Sequence, residues 1–213
     1  MHSSFTEAVV VVHGLWMNTL TLSFIGHRLQ HCGFEVSYFS YASVGANVPD
    51  NAEKLHQLIQ TLSTDHVHLV GHSLGGLVIR QLFEHYPEQK WGRIVTLGTP
   101  HQGSQAAQDL AKHSWGQAIL GKSTHKGGLL GDMNTWHGQR ELGNLVGTWD
   151  VGFGKLFTNL PEPNDGTVSV QDCQLDHATD YIELPVSHLS MLLSPDVTDQ
   201  TCFFLKNGRF KFD

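Results

Sequence analysis

Val67-His68-Leu69-Val70-Gly71-His72-Ser73-Leu74-Gly75-Gly76-Leu77 decides the fold. A strand-like apolar segment runs into Gly-x-Ser-x-Gly, and the chain then turns straight into Leu77-Val78-Ile79-Arg80-Gln81-Leu82-Phe83. In that second half the apolar residues fall three and four apart, which is helical spacing. The stretch therefore reads as a strand, a very tight turn and a helix, with a serine at the apex. Gly71 and Gly75 flank the bend, where a Cβ would collide with neighbouring backbone. Ser73 Oγ then projects above a sheet at a helix N-terminus, where backbone N–H groups face any developing anion. A Gly-Ser turn leading into an ordinary helix cap would carry the same five letters. The strand before and the helix after are what favour a nucleophile.

Working outward, Ala8-Val9-Val10-Val11-Val12 is a continuous β-branched run, as expected of a strand buried on both faces of a parallel sheet. Further strands are predicted at Phe34–Phe39, Arg93–Leu97, Glu141–Trp149 and Asp180–Leu184. Helical patterns lie between them at Thr19–Cys32 and from about Ala52 to Leu62, and one from Pro195 to Lys206 closes the chain. Such alternation calls for an α/β fold: a mostly parallel central sheet of about six strands, with helices on both faces. Ligands in such sheets bind beyond the carboxyl ends of the strands, where His13, Ser73 and Thr99-Pro100-His101 all fall. Regularity breaks from about 104 to 140. Ala106 to Leu120 reads as one amphipathic helix, and the rest is rich in glycine and polar residues. That segment is expected to be a small lid-like insertion within a single domain, 1–213.

With 213 residues, a formal net charge of −7 and apolar residues at 40 per cent, the chain suits one globular domain. The acidic balance leaves no basic footprint for nucleic acid. No apolar run approaches the ~18 residues of a membrane span, so stable membrane insertion is not expected, although Trp115 and Trp136 are available for peripheral lipid contact. Met1 to Glu7 lacks a basic n-region and Ala8–Val12 is too short for a signal core. The chain is therefore expected to be cytoplasmic or to have had a leader removed before this numbering, and Met1 favours the first. Cys32, Cys173 and Cys202 form no pairing pattern and are expected to be reduced.

A serine nucleophile needs a base to take its proton and a carboxylate to orient that base. Two requirements narrow the choice: each partner should lie past a late strand, and the order should run serine, acid, histidine. Asp165, in Pro161-Glu162-Pro163-Asn164-Asp165-Gly166, meets both, with Asp150 as runner-up. Asp172 and Asp176 fall in what reads as a solvated turn, and Asp180 begins a strand, at the wrong end of the sheet for the site. Among fifteen histidines, His188 follows the last strand. His101 precedes the acid, and His72 adjoins the nucleophile but should point elsewhere. His66 and His68 read as a satisfied surface pair rather than a metal site.

With these residues in view, the chain resembles the bacterial lipase/esterase branch of the α/β-hydrolase superfamily. The resemblance rests on Val12-His13-Gly14-Leu15, Gly71-His72-Ser73-Leu74-Gly75-Gly76, Thr96-Leu97-Gly98-Thr99-Pro100-His101-Gln102-Gly103-Ser104 and Asn164-Asp165-Gly166-Thr167-Val168. It implies a compact six-stranded core and a carboxylic ester hydrolase acting on short-to-medium acyl, lipid-like esters, with Ser73 as nucleophile, Asp165 as acid and His188 as base. It also implies an oxyanion hole from the Leu15 and Leu74 amides, with no cofactor and no metal. The same triad would serve an acyltransferase, thioesterase or phospholipase. One rival motif is present: Gly116-Gln117-Ala118-Ile119-Leu120-Gly121-Lys122-Ser123 matches a P-loop letter for letter, but no strand is predicted before it and no helix after it.

Overall fold

Every residue of β1 (Ala8–Val12) is buried, because its alternate side chains enter two different cores. Ala8, Val10 and Val12 pack with Leu55, Ile59 and Leu77, whereas Val9 and Val11 pack with Ile25, Leu29 and Phe204. A strand sandwiched in this way must be apolar throughout. The structure is a computed structural model and describes residues 7–124, 127–131, 135–152 and 160–211. Met1 to Thr6, read above for a leader, lie outside the described residues.

The other strands are β2 (Glu35–Phe39), β3 (Val67–His72), β4 (Ile94–Leu97), β5 (Leu142–Gly147) and β6 (Asp180–Leu184). They form one sheet in the order β2-β1-β3-β4-β5-β6, and every neighbouring pair is parallel. The sheet is thus wholly, rather than mostly, parallel. Helices α1 (Ser23–His31) and α6 (Pro195–Asn207) supply the core on one face, α2 (Val48–Thr61) and α3 (Leu74–His85) that on the other. Helix α2 begins earlier than predicted because the Asn47 side chain accepts from Asp50 N and Pro49 fits the first turn.

The 104–140 stretch departs most from expectation. The single helix predicted over Ala106–Leu120 is two, α4 (Gln105–Ala111) and α5 (Ser114–Leu120). The second doubles back so closely that a Cβ on Gly116 would lie 2.0 Å from the Leu110 carbonyl oxygen. Leu120, Leu129 and Trp136 are built into the α2–α3 core rather than forming an outward apolar door. Trp136 packs edge-on to Phe83 and its indole N–H donates to Arg140 O at 2.9 Å, so of the two lipid-facing candidates only Trp115 is exposed. Residues 125–126 and 132–134, the latter including Met133, lie outside the described residues. No helix among the described residues is long and apolar enough to cross a membrane.

Two other expectations fail. Cys32 and Cys202 are joined in a disulfide across 170 residues, and only Cys173 is free. The pair is invisible in spacing because it forms only when α6 docks beside the end of α1. His66 is exposed, but His68 is buried, its Nδ1 accepting from Arg93 N at 2.9 Å, because residue 68 lies within β3 and faces Phe34.

A buried polar chain crosses from β4 to β5. Arg80 donates to His101 Nδ1 at 3.1 Å, and His101 Nε2–H then lies 3.2 Å from Thr96 Oγ1. Thr96 donates to Asn144 Oδ1 at 3.1 Å, and Asn144 donates to Cys173 O at 2.7 Å. Burial lowers the Arg80 pKa to about 10 and pushes His101 well below the ordinary histidine range.

Reducing the Cys32–Cys202 bond, or the Cys32→Ser change, should cost about 2–4 kcal/mol, read as a lower unfolding midpoint in denaturant. Thiol titration of the unfolded protein should find one free thiol before reduction and three after it, since one cysteine is unpaired. Acid should act through the buried histidines. His13, His68, His72 and His101 all have pKa values lowered by burial from 6.5. The unfolded chain therefore takes up protons that the fold resists, so stability is complete above that value and is lost below it. Thermal midpoints measured from about pH 7 to about pH 5 should fall continuously; a flat profile would contradict this.

Candidate active site

Strand β3 ends at His72, α3 begins at Leu74, and Ser73 alone makes the turn, at φ 55° and ψ −123°. A non-glycine residue there is strained by about 1–3 kcal/mol and persists only when its surroundings enforce it. Ser73 N donates to Leu97 O at 2.9 Å and Ser73 O accepts from Gly76 N at 3.0 Å, so the turn is gripped on both sides. The space is too small for side chains: a Cβ on Gly71 would lie 2.7 Å from Gly76 N, and one on Gly75 would lie 2.3 Å from Val12 O. The Thr99 hydroxyl donates to Ser73 O at 3.1 Å from beneath.

Asp165 is fully buried in the loop that follows β5. Its Oδ1 accepts from Thr167 N at 3.0 Å and Val168 N at 2.7 Å, leaving Oδ2 for His188 Nδ1 at 2.6 Å. The Asp165 carbonyl also accepts from His188 N at 2.8 Å. With its proton on Nδ1, His188 presents Nε2 as a bare lone pair, the tautomer that a general base requires. Asp150, the runner-up, follows β5 and lines a small cavity with Thr148, Glu162, Pro163 and Asn164. Asp172 is half-buried rather than solvated, and its carboxylate accepts from Gln105 N at 3.1 Å where α4 starts. Asp180 lies at the amino end of β6, the end away from the site as expected, and accepts from Phe210 N at 2.7 Å.

Gly98 (φ 55°) carries the chain past this pair. A Cβ there would lie 3.0 Å from Asp165 Oδ2 and 3.1 Å from His188 Nδ1. The loop after β1 approaches from the other side, where a Cβ on Gly14 would lie 3.1 Å from Ser73 Cβ. That approach brings Leu15 beside the elbow. Leu74 N–H is the first of α3, where no intrahelical acceptor exists. Ser73, Asp165, His188 and the loops of Leu15 and Leu74 thus gather at one edge of the sheet. Ser73 Oγ and His188 are not hydrogen-bonded to each other among the described residues, a contact that free active sites often leave long.

Two neighbours were missed in the sequence. Tyr41 stacks on His13 at 4.3 Å and its hydroxyl donates to His13 O at 2.7 Å, bracing the loop that leads to Leu15. The only signal for it was its place just after the second strand, beside the first. His72 does not point away but packs against His188, with ring centroids 4.6 Å apart. Among the described residues, no group of three or more His, Cys, Asp or Glu is arranged to hold a metal. The P-loop letters fall in helix α5 and a 3₁₀ turn, Gly121–Thr124, with no strand before them, so they form no phosphate cradle.

Solved structures share this architecture. A lipase of Bacillus licheniformis, BlEst2 in its mature form, is 22% identical with a TM-score of 0.73, covering 97% of this chain and 93% of that one. A carboxylesterase of the Thaumarchaeon Nitrososphaera gargenis is 12% identical with a TM-score of 0.64, covering 95% and 91%. The metagenomic carboxyl esterase MGS0156 is 14% identical with a TM-score of 0.63, covering 89% and 66%. At these identities the likeness is one of fold, and the fold is that of the α/β-hydrolases. No curated protein matches the chain in sequence. A family model described as a domain of unknown function matches residues 2–131, more than half the chain. With its serine elbow and both flanking loops inside that match, the chain belongs to the DUF7379 family, carried on an α/β-hydrolase fold.

Proposed function

We propose that the chain is a single-domain serine hydrolase that cleaves small carboxylic esters of lipid-like, short-to-medium acyl character through Ser73, Asp165 and His188. The observation that carries this reading is the His188–Asp165 pair, 2.6 Å apart, at the same sheet edge as a strained serine over a helix N-terminus. His188 Nε2 takes the Ser73 proton as Oγ attacks the ester carbonyl. The carbonyl oxygen becomes an oxyanion facing the Leu15 and Leu74 amides, donors of the kind that stabilise this charge best in a water-poor site. Collapse breaks the ester C–O bond, the alcohol leaves with the proton from His188, and the acyl group stays on Ser73. Water, deprotonated by His188, then releases the carboxylic acid and restores the serine.

Acyl transfer, phospholipid cleavage and thioester hydrolysis would use the same three side chains, and comparing acceptors and leaving groups separates them. The Cys32–Cys202 disulfide favours action in an oxidising compartment over the cytoplasm.

A panel of p-nitrophenyl esters from acetate to palmitate tests the reading. Ser73→Ala should stay folded and lose activity on the order of 10⁴- to 10⁶-fold. A fluorophosphonate probe should label Ser73 alone, and an active Ala variant or labelling elsewhere would sink the proposal. For the acid, Asp165→Asn should cut kcat by about 10⁴-fold, as loss of the orienting carboxylate does in such triads. Asp150→Asn should stay within a few-fold of the parent; the reverse order would transfer the role to Asp150.

A further inference from the structure

His188 sits on a loop between β6 and a 3₁₀ turn, Ser190–Leu192, and three hydrogen bonds hold it in place. Two come from Asp165: the ring bond at 2.6 Å and the bond from His188 N to Asp165 O at 2.8 Å. The third comes from His72, whose Nε2 donates to His188 O at 2.9 Å. The origins of these bonds matter. Asp165 locates the histidine relative to the acid loop, but His72 is covalently joined to Ser73. Only the third bond ties the histidine directly to the neighbour of the nucleophile.

The tautomer of His72 follows from its partner. A carbonyl can only accept, so Nε2 carries the hydrogen and Nδ1 is bare. That Nδ1 is buried, has no hydrogen-bond partner, and faces Gly14, where an added Cβ would lie 3.1 Å from it. A second proton would leave an orphaned N–H there, pressed under the loop of Leu15. Burial and the nearby His188 both push the pKa of His72 well below the ordinary value. The ring is therefore a neutral spacer between the loop of Leu15, the elbow and the base.

We propose that His72 is a positioning residue that aligns His188 on Ser73 by holding the His188 carbonyl. The inference rests on the hydrolase reading above. It predicts a loss in the chemical step rather than in substrate capture, because a misplacement near 1 Å can cost about 100-fold in rate.

Three substitutions separate this role from simple core packing. His72→Leu removes the donor. His72→Gln returns an N–H donor at the reach of Nε2, and His72→Asn returns one only at the reach of Nδ1. With p-nitrophenyl butyrate, well below each variant's Tm, the Leu and Asn variants should lose about 10- to 100-fold in kcat with KM within about twofold. The rate of Ser73 labelling by fluorophosphonate should fall in parallel. The Gln variant should recover to within about threefold of the parent. A Leu variant with unchanged kcat overturns the proposal, as does a Gln variant no better than Asn. If Leu fails to fold, the contrast between Gln and Asn decides alone. An inert, unlabelled parent would instead bring down the hydrolase reading and this inference with it.

Discussion

The register of three parallel strands is the constraint on which the site depends. Val12 of β1 lies opposite Gly71 of β3, and His72 lies opposite Leu97 of β4. The chain therefore leaves the sheet at one level three times, into His13-Gly14-Leu15, into Ser73-Leu74 and into Gly98-Thr99. The ladder continues one step past β3, through Ser73 N to Leu97 O at 2.9 Å. That bond, with the packing of Gly75 against Val12 O, opposes the strain at Ser73. A one-residue slip of β1 or β4 would send each side chain into the opposite core and pull the loops out of line together.

The Gly98–Ser104 segment is the underside of the site rather than part of its reacting face. Gly98 clears the Asp165–His188 pair, Thr99 holds Ser73 O, His101 enters the buried chain with Arg80, and Ser104 caps α4 by accepting from Ala107 N. Each residue serves a different neighbour, which explains why so short a segment is so particular in composition. His101 follows Ser73 in chain order and precedes Asp165, but its lone pair is already occupied by Arg80 and its N–H faces Thr96, so it has no free nitrogen to offer a substrate.

Electrostatically the site is built to keep charge scarce. His72 packs against His188 with His13 nearby, and burial holds both His13 and His72 towards the neutral form. Among the described residues it is the Asp165 carboxylate that is placed against His188, with two backbone N–H groups occupying its other oxygen. A cation on His72 would oppose the imidazolium that the proposed mechanism forms on His188. A neutral ring there contributes shape and one hydrogen bond without that repulsion.

Much of this was legible in the order of residues. Continuous apolar strands, glycines around a serine and helical spacing after it are local signals, and a parallel sheet converts them into a shared edge with little freedom. Asp165 and His188 could be chosen because chain order and strand ends are one-dimensional facts. Other features depended on residues distant in sequence but adjacent in space. The Cys32–Cys202 pair, the depth of His68 and Trp136, and the fold-back of α5 on Gly116 arise only when layers dock. His72 is the clearest case. Its neighbour Ser73 was evident from the motif, but the direction of its ring is set by a carbonyl 116 residues away, and no local pattern encodes that approach.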